Sequence, residues 1–349
     1  MGDSQTQDLA LIYTRKVDGL MKRISYSQYS QWDICPYKWK LNYIDKLSEF
    51  TDNIHTLFGT SMHEVLQTYL TVMYNDTIKM ADALPLDTML LHRMKTNYTN
   101  IMKKNGGEVF VEQHDMEEFY NHGLLILDWF KKKRGMYFSK KGYELVGIEV
   151  PIEYKLPNDI KFIGYMDVVL YDSVRDRYKI IDIKTSTMGW NKYMKADKNK
   201  TDQLLLYKQF YGAQNDIPLD RIDVEYFIVK RKLYEKVDFP QRRVQTFQPA
   251  NGKPSINKVI NNLNQFLKES FNDGEYNLEH KVLDYSYPEG QSNHFNNKII
   301  TFLKKRKIHL CPSAINGINK IEDDPFKLKR IMVGFWNLPF PFFDKNLKN

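Results

Sequence analysis

Residues 160–185 read IKFIGYMDVVLYDSVRDRYKIIDIKT and decide the fold. Two strand-like runs, roughly 161–171 and 177–185, are separated by a polar turn, and each carries one acid in an apolar setting, Asp167 in the first and Asp182 in the second. Strand side chains alternate faces with period two. Asp182 and Lys184 therefore project together, while Ile181 and Ile183 point the other way. Two acids and a lysine leaving neighbouring strands on one side suit divalent-metal binding beside a phosphate. A D-x-K pair by itself would serve equally as a surface salt bridge, so the rest of the chain has to be weighed with it.

Outward from this hairpin, a third run at 143–154 carries Glu149, which fits a ligand and a solvated face equally well. Residues 222–230, IDVEYFIVK, alternate as a further strand. Between the strands, a lysine-rich loop at 192–200 leads to a helix over about 201–211 that should stop at Gly212. Ahead of them lies FGTSMHEVLQTYLTVMY, 58–74, with apolar residues spaced three and four apart and a Ser61-x-x-Glu64 capping box at its start. Further helices are expected at 27–46 (Ser27 as N-cap, Pro36 splitting it), 87–104, 113–134 and 254–272. Helices, three strands, helix, strand predict an α/β fold with a central mixed sheet flanked by helices. The expected organisation is a core over 1–240 with a helical insertion at about 75–140, and a helical and loop-rich extension over 241–349 packed on it. The extension ends in GFWNLPFPFF, whose aromatics need a surface to bury against.

Hydrolysis of a phosphodiester needs an aligned water and neutralisation of phosphate charge, and divalent metal ions do both. Magnesium takes oxygen ligands, commonly one or two carboxylates. Asp167 and Asp182 would supply them, the backbone carbonyl of Ile183 could add a ligand, and Lys184 would stabilise developing negative charge. His63, read as lying in the first turn of its helix, should stay neutral there and free to bind metal. Gln203 and Tyr207, four apart on one helix face, are candidate contacts to substrate, with Thr185 and Ser186 beside the lysine.

In bulk, 51 Lys and Arg against 43 Asp and Glu give a formal net charge of +8, which favours an anionic partner. The footprint would use Lys192, Lys195, Lys198, Lys200, Lys230, Arg231 and Lys232, with Arg242, Arg243 and the run 304–307 in reserve. Aromatics near the site could stack on unpaired bases. A 42% hydrophobic content supports a sizeable core. The two cysteines, Cys35 and Cys311, exclude a disulfide framework. No signal-peptide pattern or apolar run long enough for a membrane span is found, which predicts a cytoplasmic protein of a bacterial or phage-infected cell. No P-loop sequence occurs, so no ATP site is expected.

Taken in order, these segments resemble the PD-(D/E)XK nuclease superfamily, and within it the RecB-like exonuclease branch. SYSQYSQWDICPYKWKLNYIDKL (25–47) looks like the branch's N-terminal segment, GTSMHEVL (59–66) like its G-x-x-x-H motif, GYMDVVL (164–170) like G-x-x-D, IIDIKTS (180–186) like D-x-K, and QLLLYKQFY (203–211) like Q-x-x-x-Y. The resemblance implies a restriction-endonuclease-like core of four mixed strands and a magnesium- or manganese-dependent deoxyribonuclease, exonuclease ahead of endonuclease, used in DNA recombination, repair or degradation. It implies metal ligation by His63, Asp167 and Asp182, catalysis by Lys184, a strand acid in Glu149, and Gln203 and Tyr207 beside the substrate. The implied partners are DNA ends and a helicase or recombination protein. A non-catalytic DNA-binding scaffold on the same fold is the competing expectation. Several members of the branch carry a 4Fe–4S cluster on four cysteines; two cannot complete that set, so none is expected here.

Overall fold

The computed structural model describes residues 22–47, 52–272, 275–276, 295–306 and 308–330. The chain divides into two compact units, Met1–Leu278 and Glu279–Asn349.

The first unit opens with a short strand β1 (Lys22–Ser25), then α1 (Tyr26–Ile34) and α2 (Pro36–Trp39). Pro36 ends one helix and starts the next, as its fixed φ and missing N–H require. The first of these helices is capped at Ser25, two residues before the expected Ser27, because β1 delivers the chain to the helix there. Four helices follow, α3 (Ile54–Asn75), α4 (Ile78–Ala83), α5 (Leu86–Lys104) and α6 (Gln113–Lys133). The sheet strands come next, β2 (Tyr143–Leu156), β3 (Ile160–Asp172) and β4 (Arg177–Ser186). The chain returns through α7 (Lys192–Ala196) and α8 (Lys198–Gln214) to β5 (Ile222–Lys230) and β6 (Val244–Phe247), and α9 (Lys253–Ser270) closes the unit before a two-residue hairpin pair, β7 (Phe271–Asn272) and β8 (Glu275–Tyr276).

Six strands form one mixed sheet in the order β1-β3-β4-β5-β6, with β2 along the other side of β3. β3 is antiparallel to β2 and β4, β4 and β5 are parallel, and β1 runs parallel to the start of β3. This is the expected mixed sheet, enlarged by β1 and β6. Both are only four residues long, too short to show a period in sequence.

The alternation of β4 and β5 sorts the core into two layers. Ile180, Val224, Tyr226 and Ile228 pack with α1, α2, α8 and α9, including Trp32, Trp39, Leu204, Leu206 and Phe266. Ile181, Ile183, Phe227 and Val229 pack the other way, with Phe58, Met62, Leu66, Leu90 and Phe130 of α3, α5 and α6. β2 and β3 do not keep one phase. Phe162 and Met166 belong to the α8 layer but Val168 and Leu170 to the α3 layer; likewise Val150 and Ile152 face α8 while Ile148 faces α3. The slip falls between the paired residues Val150–Met166 and Ile148–Val168, where Glu149 adopts a left-handed φ of +51°.

Several sequence expectations are corrected. The Ser61–Glu64 capping box does not form, because α3 starts a full two turns earlier: Asn53 caps it, accepting from the N–H groups of His55 and Thr56, with Thr56 reciprocating. Ser61 instead bonds the Leu57 carbonyl from inside the helix. The lysine-rich stretch 192–200 is helical rather than a loop, with Asn191 and Asp197 as successive caps. Gly212 does not stop α8; it lies inside the helix, where a Cβ would come within 2.9 Å of the Ile217 carbonyl oxygen.

The second unit, taken alone, holds α10 (Asn297–Lys305) capped by Asn296, and a parallel pair β9 (Pro312–Asn316) and β10 (Leu328–Arg330). Ile300, Leu303, Ile308, Cys311 and Phe326 form its small core. The GFWNLPFPFF ending lies outside the described residues. No helix among the described residues is long and apolar enough to cross a membrane.

Candidate active site

The site is built where β3 parts from its neighbour. β1 pairs with β3 only at 160–163 and β4 only at 168–172, so between these stretches β3 is laddered to β2 alone. Past Ile181, the β4 backbone groups on that side lose their strand partner, and a buried N–H needs another acceptor. Asp167 provides it: its Oδ2 accepts from the Ile183 N–H at 2.6 Å. The acid expected from the first strand is thereby bonded to the backbone of the second.

From the α3 layer His63 reaches the same carboxylate, with Nε2 2.7 Å from Asp167 Oδ2 and Nδ1 3.7 Å from Glu149 Oε1. Its position within α3 removes the helix-terminus argument for a neutral ring, since the first turn lies at Ile54. Burial pulls the His63 pKa down, but the bond to Asp167 and the charges of Asp167, Glu149 and Asp182 outweigh it, and the net shift is upward. Gln67, one turn after His63, donates from Nε2 to Glu149 Oε1 at 2.5 Å and to the Asp167 carbonyl at 3.5 Å. Gln67 was missed from the sequence; its i+4 spacing from His63 was the available signal.

On the α8 side Asp182 is 2% exposed. Burial pushes its pKa up, against the pull of Lys184 and with a further push from Asp167. Its Oδ2 lies 2.8 Å from Lys184 Nζ, yet at an angle that makes no directional hydrogen bond. Lys184 also donates to Gln203 Oε1 at 3.2 Å, and Gln203 Nε2 donates to the Tyr207 hydroxyl at 3.1 Å. Asp182 and Lys184 thus do project together, with Gln203 and Tyr207 beside them.

The donor set fits a metal ion. The ligand atoms of His63, Glu149 and Asp167 lie within 4.8 Å of one another; Asp182 stands outside that group, close enough for its charge to act on His63 and Asp167, with its Oδ2 buried and making no hydrogen bond. An oxygen-rich set with one imidazole suits hard or borderline divalent cations. Of the remaining candidates, the Ser186 hydroxyl closes a turn, bonding both the N–H and the carbonyl of Gly189 at 3.1 Å. Thr185 Oγ1 faces Gly59 of α3, where a Cβ would stand 3.1 Å away. Ile183 contributes its N–H to Asp167.

The basic footprint is more structured than solvated loops would be. Arg231 is 7% exposed, its guanidinium 3.8 Å from the Phe119 ring centroid and bonded to Glu118, which Lys232 also pairs. Arg243 bonds the Lys230 and Arg231 carbonyls. Both guanidinium groups are thus engaged within the protein, Arg231 with side chains and Arg243 with backbone carbonyls. Lys192, Lys198 and Arg242 are exposed. A separate charged cavity of about 170 Å³ involves the other end of β4, but its ions satisfy one another, Arg177 with Asp223 and Lys179 with Glu225.

A mixed sheet between two helical layers thus carries two aspartates and a lysine at a parting of its central strands. Residues 23–282 match the PD-(D/E)XK nuclease superfamily, and the chain belongs to it. A solved structure from Eubacterium rectale, named as a candidate exonuclease, is similar at 12% identity and a TM-score of 0.42, covering 71% of this chain and 81% of that one. No curated protein matches the chain.

Proposed function

We propose that this chain is a magnesium- or manganese-dependent deoxyribonuclease that degrades DNA from its ends in recombination, repair or degradation. The observation that carries the reading is the meeting of His63, Glu149 and Asp167 together with the ion pair between buried Asp182 and half-buried Lys184. His63, Asp167 and Asp182 would hold the ion, with Glu149 and the Ile183 carbonyl as further ligands. A bound divalent ion lowers the pKa of water and neutralises phosphate charge. The chain's own residues do the remainder. Lys184 presents an ammonium to the charge that builds on the phosphate oxygens. Asp167 and Gln67 fix the parting of the strands by bonding its free backbone groups. Exposed Tyr165, two residues from Asp167, and exposed Tyr193, with Lys192 5.0 Å from its ring centroid, offer stacking surface that favours single-stranded or frayed ends.

The test uses labelled linear and circular DNA, single- and double-stranded, with magnesium, manganese or chelator, beside Asp182→Ala and Lys184→Ala. Loss of linear DNA only, dependent on metal and about 100- to 1,000-fold slower in each variant, is the expected result. Cutting of circles would replace the exonuclease by an endonuclease. Retention of DNA without cleavage under any metal would overturn the enzyme in favour of a scaffold.

A further inference from the structure

We propose that Gln203 is a positioning residue for Lys184, itself held by Tyr207, whose ring is seated on Gly164; the proposal rests on the nuclease reading for what Lys184 does. The side chains permit one assignment of the Gln203 amide. An ammonium only donates, so the group 3.2 Å from Lys184 Nζ must be the amide oxygen. The amide nitrogen then faces Tyr207, 3.1 Å from its hydroxyl oxygen, which accepts. Burial pushes the Tyr207 pKa up to about 12, so the phenol stays neutral. Both ends of the amide are thus committed within the protein, which leaves it oriented toward the lysine.

Tyr207 is fixed from behind. A Cβ on Gly164 would lie 2.8 Å from Tyr207 Cε1 and 3.2 Å from its Cζ and hydroxyl oxygen. The ring occupies the space a side chain would take, at the point where β3 is laddered to β2 alone. Gln203 and Tyr207, four apart on α8, present both groups along one helix face. Lys184 is then held from two sides, by Asp182 at 2.8 Å and by Gln203 at 3.2 Å. A lysine has a long flexible stem and no fork geometry of its own. The clamp supplies the orientation that the side chain lacks. Removing the Tyr207 hydroxyl would free the amide to turn its N–H groups toward the ammonium, a donor against a donor.

Two measurements decide it. In steady-state cleavage of linear DNA, Gln203→Ala should lower kcat about 10- to 100-fold with KM unchanged. Tyr207→Phe should act in the same direction and less. In a Lys184→Ala background, Gln203→Ala should cost nothing further, because the amide acts only through the lysine. A raised KM with unchanged kcat, or an equal loss in both backgrounds, would make Gln203 a substrate contact and overturn the proposal. The second measurement needs no activity: the metal-free protein is treated with an amine-acylating reagent and labelling is followed by peptide mass analysis, with exposed Lys192 as reference. Lys184 should label severalfold faster in Gln203→Ala and in Tyr207→Phe, with folding checked by circular dichroism. Unchanged labelling in both variants would also overturn it. If the wild type cuts no DNA while the labelling shift appears, the clamp stands and the nuclease reading falls.

Discussion

Glu149 carries a φ of +51° inside β2, a conformation that costs an L side chain on the order of 1–2 kcal/mol. The surrounding ladder, paired on both sides of it from Ile148 to Val150, enforces the geometry, and the phase slip of both strands coincides with it. The residue spends that strain beside His63 and Asp167, where its carboxylate joins the metal-ligand group. Replacing Glu149 by Gly should therefore leave the metal-free protein about 1 kcal/mol more stable than replacing it by Ala, since both lose the carboxylate and only glycine relaxes the backbone. Chemical denaturation of the two variants checks this; equal midpoints would show that the left-handed turn is unstrained.

Elements are set by caps and close approaches as much as by period. Ser61 and Glu64 imitate a capping box inside α3, a helix that Asn53 already caps two turns earlier. Asn53→Ala should cost about 1 kcal/mol of stability in a thermal or denaturant melt, as the loss of a helix N-cap does. Gly212 has the sequence look of a helix stop, but it is there for contact. Its missing Cβ lets α8 pass the Ile217 carbonyl and the Ile222 side chain. Gly212→Ala should destabilise by about 1–3 kcal/mol despite alanine's better helix propensity, because a backbone oxygen at 2.9 Å cannot rotate away. A gain in stability would mean that α8 shifts freely.

Across the whole first unit, charges at the far end of the sheet stabilise the strand order. Arg177 at the start of β4 makes a two-bond pair with Asp223 of β5, at 2.8 and 2.6 Å. That pair holds the Asp223 pKa below its usual value of 3.8. In this range the unfolded chain binds more protons, so the contribution is fully present above the ordinary carboxylate pKa and is lost as pH falls through the lower folded value. Both side chains are more than a third exposed, so solvent screening keeps the effect modest. The melting temperature of Asp223→Asn should lie below that of the wild type at neutral pH, and the gap should close as pH drops below about 4. A gap that persists to acid would assign the loss to packing instead.

What the sequence by itself determined is local: the order of helices and strands, and the common face of Asp182 and Lys184, follow from periods of 3.6 and 2 that any stretch displays alone. Asp167, His63, Gln203 and Tyr207 could be named as candidates, but not their bonds. Only the tertiary structure decided those, because the parting of β3 from β4 depends on β1, a four-residue strand from more than a hundred positions earlier that takes the neighbouring stretch of β3. That parting gives Asp167 the Ile183 N–H, and α3 and α8, packed on opposite faces, bring His63 and Gln203 to the strand carboxylates and the lysine.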